Sequence, residues 1–230
     1  MQMPRWLREN WLQVAILVTP FIVVGVFWGR FPDRVVVQWR LDGQPNKWAG
    51  KTFGLLVGPL LSIAVAIFFG WMPRFDPKLR RNPDWNGRSL RIIRIATTLL
   101  ISFISVLIAA EALGYHFNSP ALGTNAVLLL FLVLGNYLGT FPPSYFAGIR
   151  TPWTLRNDDV WRDTHRNAGR VMVIGTLVFF GLQFVVSREL LMGCFVAFIA
   201  ASLVWSTIYS YLRARSVTLR SNFPPDVPCT

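Results

Sequence analysis

Six long apolar stretches alternate with polar connections along this 230-residue chain. A membrane-spanning helix needs about 20 mostly apolar residues, within a range of roughly 17–25. Each stretch meets or approaches that length, so the pattern predicts an all-α integral membrane protein with six transmembrane helices. Only Arg188 and Glu189 separate the last two stretches, as expected for a tight helical hairpin. The predicted spans are Trp11–Trp28, Thr52–Met72, Ile95–Leu113, Ala121–Leu138, Val171–Ser187 and Leu190–Leu212.

The composition agrees with this interpretation and adds an orientation. Charged residues make up 15% of the chain, against roughly 25% in soluble domains. If the N-terminus lies inside, the inner connections carry 17 Lys and Arg and the outer connections carry six. Basic residues concentrate on the cytoplasmic side of membrane proteins. We therefore expect a multi-pass protein of the bacterial cytoplasmic membrane with both termini in the cytoplasm.

The net charge of +12 calls for an anionic partner. Basic connections beside membrane spans attract anionic lipid headgroups. A nucleic-acid-binding domain needs a longer basic region than any connection provides, so no direct nucleic-acid contact is expected. The sequence thus predicts a lipid bilayer with anionic headgroups as one partner.

The spans divide into two predicted units. An N-terminal two-span unit covers residues 11–72 and encloses an extracytoplasmic loop at residues 29–51. A C-terminal four-span unit covers residues 95–212 and contains a long cytoplasmic loop at residues 139–170. The Pro-containing tail at residues 213–230 is expected to be disordered.

The extracytoplasmic loop has the pattern of a short strand followed by a turn. Apolar residues alternate with polar ones around Val35 and Val37, which is the period of a half-buried strand. Asp42 and Gly43 then provide a turn, because Gly tolerates a positive φ and Asp can accept a hydrogen bond from its own backbone. This hairpin either caps the helix bundle or faces a ligand. The candidate residues are Asp33, Trp39, Asp42, Gly43, Trp48 and Lys51, of which the two Trp suit the headgroup region.

The cytoplasmic loop is the most unusual segment, because it is long, charged and aromatic. Asn157 has the sequence of a helix N-cap, and the Asp residues that follow it complement the helix dipole. The helix is expected to run from Asp158 toward Asn167, with an ion pair between Asp158 and Arg162. One face carries Val160, Trp161, Thr164 and Ala168, and another carries Arg162, Arg166 and Arg170. This pattern predicts an amphipathic interfacial helix at the cytoplasmic headgroups.

The sequence offers little for catalysis. His165 lies near Asp163 and could act as a general base, but no Ser or Cys stands in a nucleophile context. No second His stands at metal-ligand spacing and no Gly-rich phosphate loop is present, so we expect no enzyme activity, metal or cofactor. His165 is interpreted as a hydrogen-bonded structural or interfacial residue. Glu111, near the outer end of the third span, is expected to reach the membrane interface.

Two segments resemble known bacterial sequences. The segment GNYLGTFPPSYFAGIRTPWTL, followed by VW, THR and a Gly, closely resembles the C-terminal motif of the SdpI family, membrane proteins named for an immunity protein against a secreted peptide toxin. The segment FPDRVVVQWRLDGQPNKWAGK resembles a short domain of unknown function found at the N-terminus of many members. The family's His-aromatic-Asn triplet is replaced here by Gln38-Trp39-Arg40, which puts in doubt any role that needs that His.

The resemblance implies a function. It implies immunity to a membrane-acting toxin, envelope signalling, or both, with the outer loop sensing and the cytoplasmic loop responding. The implied partners are a secreted peptide toxin outside and a transcriptional repressor inside. The alternatives are a small-molecule or ion permease and, third, a lipid-acting enzyme that uses His165 and Asp163. The candidates for partner or lipid binding are Arg150, Thr151, Pro152, Trp153, Trp161, Thr164, His165 and Arg166.

Overall fold

The computed structural model describes residues 5–40, 42–81, 87–115 and 117–222 and is predominantly helical. The only strands in these ranges are β1 (Arg34–Trp39) and β2 (Pro45–Gly50), which form an antiparallel hairpin. The strand and turn predicted for residues 29–51 are therefore confirmed. The helices are α1 (Arg5–Val26), α2 (Lys51–Phe75), α3 (Pro77–Arg81), α4 (Arg88–Ala112), α5 (Ser119–Leu138), α6 (Pro152–Arg156), α7 (Asp158–Leu182) and α8 (Arg188–Asn222).

Most of each predicted apolar stretch lies on a helix, although the first, third and fifth stretches run beyond the ends of α1, α4 and α7. Among the described residues, four helices are long and apolar enough to cross a membrane, namely α2, α4, α5 and α8. The apolar part of α1, Asn10–Val26, is shorter, and α7 carries a charged first half. The chain is therefore a multi-pass membrane protein by length and composition of its helices.

The contacts group the chain into two compact units whose bounds differ from the predicted ones. The first unit comprises Met1–Gly70 and Arg91–Leu130, and the second comprises Trp71–Leu90 and Phe131–Thr230. The first unit gains most of α4 because polar side chains of that helix pack against the N-terminal helices. Gln13 on α1 donates to Thr98 on α4, 3.0 Å away, and Ser62 on α2 lies 3.1 Å from Ser102.

The hairpin of the first unit packs on a small apolar core. Val35 on β1 is 1% exposed and belongs to a cluster with Val24, Leu55 and Ala109 from α1, α2 and α4. The strand lies so close to α2 that a Cβ on Gly54 would come within 2.3 Å of a Val35 methyl carbon. The core therefore fixes the hairpin on the ends of three helices.

The second unit corrects two predictions. The expected interfacial helix and the expected fifth span form one continuous helix, α7, which has no break between Asn167 and Val171. The segment between them, Ala168–Gly169–Arg170, contains no Pro and its buried face is continuous, so nothing ends the helix there. In addition, α8 runs on to Asn222, so residues 213–222 are helical instead of disordered. Residues 223–230 lie outside the described part of the chain.

Candidate functional site: the motif module

The motif residues fold together with α3 into one structure, which we call the motif module. It comprises α3, residues 139–157 and the first half of α7, residues 158–170. Asn157 begins α7 as predicted: its side-chain oxygen accepts from the backbone N–H groups of Asp159 and Val160, at 2.8 and 3.2 Å. Asp158 and Asp159 occupy the first helical turn, where carboxylates are stabilised by the helix dipole.

The apolar face of α7 packs against protein. Trp161 is 0% exposed, and its indole N–H donates to the Phe141 carbonyl at 2.9 Å. Its ring stacks on His165, with centroids 4.0 Å apart. The prediction that this face lies on lipid headgroups is therefore wrong for Trp161, because the preceding loop folds back over it.

His165 uses both ring nitrogens to hold backbone. Nδ1 lies 2.9 Å from the Trp161 carbonyl and must donate to it, while Nε2 accepts from the Ile149 N–H at 2.9 Å. This arrangement requires the neutral ring, since a proton on Nε2 would face another donor. Burial lowers the pKa of His165 from 6.5 to about 4, although the hydrogen bond to Trp161 raises it in part. The interpretation as a hydrogen-bonded structural residue is confirmed.

Gly148 allows the loop to reach this ring. Its φ is +100°, a region that side chains disfavour. A Cβ at this position would lie 2.6 Å from His165 Nε2 and 2.9 Å from the Trp161 ring. The motif therefore requires glycine here for two independent reasons, backbone conformation and space.

Thr151 and Thr154 build a short helix that the sequence analysis missed. Thr151 caps α6, accepting from the Thr154 N–H at 3.3 Å, and the Thr154 hydroxyl accepts from the Thr151 N–H at 2.9 Å. Pro152 occupies the first helical position. Thr151 also donates to Ser210 on α8 at 3.0 Å. The sequence Thr151-Pro152-Trp153-Thr154 could have predicted this helix, because Thr followed by Pro is a typical helix start.

The most important residue that the sequence analysis missed is Asp76. Its side chain is 0% exposed and accepts three hydrogen bonds: from the Ser144 hydroxyl at 2.6 Å, the Tyr145 N–H at 2.9 Å and the Lys78 N–H at 2.9 Å. It therefore caps α3 and fixes the start of the motif loop. The sequence Asp76-Pro77 could have predicted this cap, because it again places a capping residue before Pro.

Of the remaining motif candidates, some pack inside the protein and others lie on its surface. Trp153 lies edge-on to Tyr211, with centroids 5.2 Å apart. Thr164 is 0% exposed, and its hydroxyl has no hydrogen-bond partner among the described residues. Arg150, Pro152 and Arg166 are exposed, and Arg150 donates to the Tyr145 carbonyl at 2.9 Å. These three are the motif candidates that an external partner can reach most directly.

The ion pairs of the module differ from the expected ones. Arg162 pairs with Asp159 instead of Asp158, and Asp158 pairs with Lys78 on α3 at 3.2 Å. Arg162 therefore pairs with the residue three positions before it instead of four, because Asp158 is already paired with Lys78. Arg162, Arg166 and Arg170 are all exposed, as the predicted basic stripe requires.

Two open grooves border the module. One, of 470 Å³, is lined by α7 and α8, where Arg213 donates to Asp163 at 2.6 Å. Because Asp163 pairs with Arg213 and the nitrogens of His165 hold backbone, the two do not form the acid–base pair that the enzyme alternative requires. The other groove, of 580 Å³, is lined by Pro77, Lys78, Arg81, Pro142, Pro143, Tyr145 and Asp158.

The candidates in the predicted extracytoplasmic loop lie in the first unit. Trp39 is half-buried, and its indole N–H donates to the Glu111 carboxylate at 3.0 Å. Ser119 donates to the other oxygen of the same carboxylate. Glu111 was expected simply to reach the interface and Trp39 to lie among headgroups, but together they join the hairpin to α4 and α5.

The turn of the hairpin follows the predicted chemistry. Asp42 accepts from the Gln44 N–H at 2.9 Å, and Gly43 has a φ of +90°. The Asp33 carbonyl accepts from the Lys51 N–H at 2.8 Å, which closes the loop. Trp48 is 59% exposed, and Lys51 lies 4.7 Å from the centre of the Trp28 ring. Among the outer candidates, Trp48 is therefore the ring most available to a partner.

Comparison with known proteins identifies both motifs. Residues 140–210 match the SdpI/YfhL protein family, and residues 15–63 match a domain of unknown function, DUF1648. The chain is also 20% identical over 205 residues to "Immunity protein SdpI" of Bacillus subtilis (strain 168), covering 89% of this chain and 95% of that protein. No solved structure matches the chain.

The family region begins with the loop that folds over Trp161 and His165 and ends on α8, beside Thr151's partner Ser210. Residues 140–210 are therefore similar to the SdpI/YfhL protein family, and residues 15–63 are similar to the DUF1648 domain.

Proposed function

We propose that this protein confers immunity to a membrane-acting peptide toxin from within the bacterial cytoplasmic membrane. The observation that carries the proposal is the similarity to Immunity protein SdpI, which extends over nearly the full length of both chains. In the proposed arrangement six helices cross the membrane and both termini lie in the cytoplasm. The Lys and Arg distribution supports this orientation.

The proposal gives the two candidate regions different tasks. The hairpin meets the toxin outside the cell, and the motif module contacts anionic headgroups and a cytoplasmic partner, with a transcriptional repressor as the candidate. The exposed guanidinium groups of Arg150 and Arg166 support a binding role for the module, because such groups hold carboxylates or phosphates with paired hydrogen bonds.

A permease is the second candidate. A polar seam inside the first unit favours it, because Gln13, Ser62, Thr98, Ser102 and Ser105 are all buried within apolar helices. Paired buried charges would favour ion transport more strongly, but the described residues of this seam contain no such pair. The immunity proposal therefore has the stronger support.

The test is protection of a toxin-sensitive bacterial host. Cells expressing this chain should survive a peptide toxin against which cells expressing Immunity protein SdpI survive in parallel, while cells with empty vector die. Sensitivity equal to the empty vector, at normal membrane abundance on immunoblots, would contradict the proposal.

Arg150 provides a sharper version of the same test. Arg150→Lys keeps the charge but cannot reproduce two parallel hydrogen bonds. If Arg150 binds a partner, the variant should lose protection at normal membrane abundance. Arg156→Lys, an exposed change in the same loop, serves as the matched control and should protect fully.

A further inference from the structure

The β-hairpin of the first unit has two chemically different faces. Val35 and its cross-strand partner Ala49 point to the apolar core. Successive residues of a strand alternate between faces, so the neighbouring pairs, Arg34 with Gly50 and Val36 with Trp48, point away from the core. Lys47, which precedes Trp48 on β2 and lies opposite Gln38, is exposed at the bulged end of the hairpin.

The exposed surface of the hairpin combines two cations with an indole ring. Arg34 and Lys47 are exposed, and neither forms an ion pair among the described residues. Trp48 is 59% exposed between them. The whole segment from Trp28 to Lys51 carries five Lys and Arg against two Asp. The exposed surface of the hairpin is therefore complementary to an anionic partner that also offers an apolar surface.

The surroundings of the hairpin indicate which anion this is. Trp28, at the end of α1, is 39% exposed and Phe53, at the start of α2, is 67% exposed. Tyr115 and Phe117, between α4 and α5, stack with centroids 6.4 Å apart and are 62% and 47% exposed. Exposed aromatic rings at the ends of apolar helices are typical of the headgroup region of a bilayer. The hairpin is fixed directly at these ends, so its cations lie at the depth of the lipid phosphates.

We propose that the exposed surface of the hairpin, formed by Arg34, Lys47 and Trp48, binds the phosphate groups of anionic phospholipids. The cations contact the phosphates, and the Trp48 ring lies among the headgroups with its apolar side toward the acyl chains. An acidic peptide could use the same charges, but it would not account for the ring of exposed aromatic residues at the helix ends. The inference is independent of the proposed immunity function and of which membrane side carries the hairpin.

The test uses a spin label on the hairpin of the full-length protein. The label is placed at Asn46, on β2 near Trp48, after Cys194 and Cys229 are replaced by Ser. In detergent, the protein is titrated with short-chain phosphatidylglycerol and, separately, with short-chain phosphatidylcholine, inorganic phosphate and an acidic peptide. We expect phosphatidylglycerol to shield the label from a water-soluble relaxation agent at concentrations where the other three have no effect.

Matched variants test whether Arg34 and Lys47 cause the shielding by phosphatidylglycerol. A basic residue near an anionic surface contributes about fivefold in binding, so Arg34→Gln with Lys47→Gln should shift the titration midpoint about 30-fold. The charge-retaining pair Arg34→Lys with Lys47→Arg should stay near wild type, which also shows that substitution here leaves the hairpin folded. Arg74→Gln with Arg80→Gln removes two cations elsewhere in the chain and should leave the midpoint unchanged.

Three results would overturn the proposal. The first is equal shielding by phosphatidylcholine and phosphatidylglycerol, which would leave no role for the anion. The second is a wild-type midpoint for the double Gln variant. The third is shielding by an acidic peptide but not by phosphatidylglycerol, which would identify a protein partner for the same cations.

Discussion

Asp76 accepts three hydrogen bonds while shielded from water, so its removal should release the motif loop. A hydrogen bond to a charged group contributes roughly 1.5–3 kcal/mol. Asp76→Asn keeps one acceptor but turns its NH₂ group toward other donors, and we expect it to lower the free energy of unfolding by about 3 kcal/mol. Trypsin should then cleave at Arg150 faster than in wild type.

The matched control for this prediction is Asp159→Asn in the same module. Asp159 pairs with Arg162 where both side chains are more than half exposed, and exposed pairs contribute about 0–1 kcal/mol. Its cleavage rate at Arg150 should stay near wild type. If both variants are cleaved alike, Asp76 does not hold the loop.

His165 makes stability depend on pH in a defined direction. Its folded pKa of about 4 lies below the ordinary value of 6.5, so the unfolded chain binds the proton first as the pH falls. The contribution of the neutral ring is therefore complete above pH 6.5 and is lost between pH 6.5 and about 4. The full loss is about 3 kcal/mol, since one pKa unit corresponds to about 1.4 kcal/mol.

Thermal melts of the purified protein across this pH range measure the effect. His165→Gln retains an acceptor for Ile149 but does not titrate, so it should be less stable at pH 7.5 and show a flatter pH dependence. If the melting temperature falls equally with pH in wild type and variant between pH 6.5 and 4, groups other than His165 cause the acid sensitivity.

Among the elements, α5 and α7 approach each other through glycine. A Cβ on Gly169 of α7 would lie 2.5 Å from the Gly135 carbonyl oxygen on α5. Close backbone approach at small residues is a common basis of helix packing in membranes. Gly169→Ala should therefore force the helices apart and lower the melting temperature by several degrees, as expected for a loss of about 1–3 kcal/mol from overpacking.

Gly181 on the same helix provides the control. No atom lies within 4 Å of a Cβ placed there, and Ala has the higher helix propensity. Gly181→Ala should melt at or slightly above the wild-type temperature. A similar loss in both variants would attribute the effect to the chemistry of alanine and not to the contact with Gly135.

Local sequence signals predicted the elements that depend on neighbouring residues. Asn157 at the start of α7 and the Asp42-Gly43 turn both depend on bonds within a few residues, and both are present. The fold of the motif loop depends on partners far along the chain: Asp76 reaches Ser144 across 68 residues, and Thr151 reaches Ser210 across 59. No local pattern encodes these long-range partners, so Trp161 was assigned to lipid instead of protein.

At the scale of the whole molecule, orientation is the property that gives the candidate regions their tasks. With 17 basic residues in one set of connections and six in the other, reporter fusions at Asn46 should report the outer side. Fusions at Asn157 and Thr230 should report the cytoplasm, because basic connections stay inside. A cytoplasmic signal at Asn46 would reverse the assignment and remove the hairpin from contact with an external toxin.

The most direct test of the central claim measures the membrane potential of toxin-treated cells with a potential-sensitive dye. A membrane-acting toxin should depolarise cells with empty vector, whereas cells expressing this chain or Immunity protein SdpI should keep their potential. Asp76→Ala removes the hydrogen bonds that hold the motif loop. This variant should abolish protection if the folded module is required. Depolarisation of cells that carry normal membrane levels of the wild-type chain, under conditions where Immunity protein SdpI protects, would contradict the account.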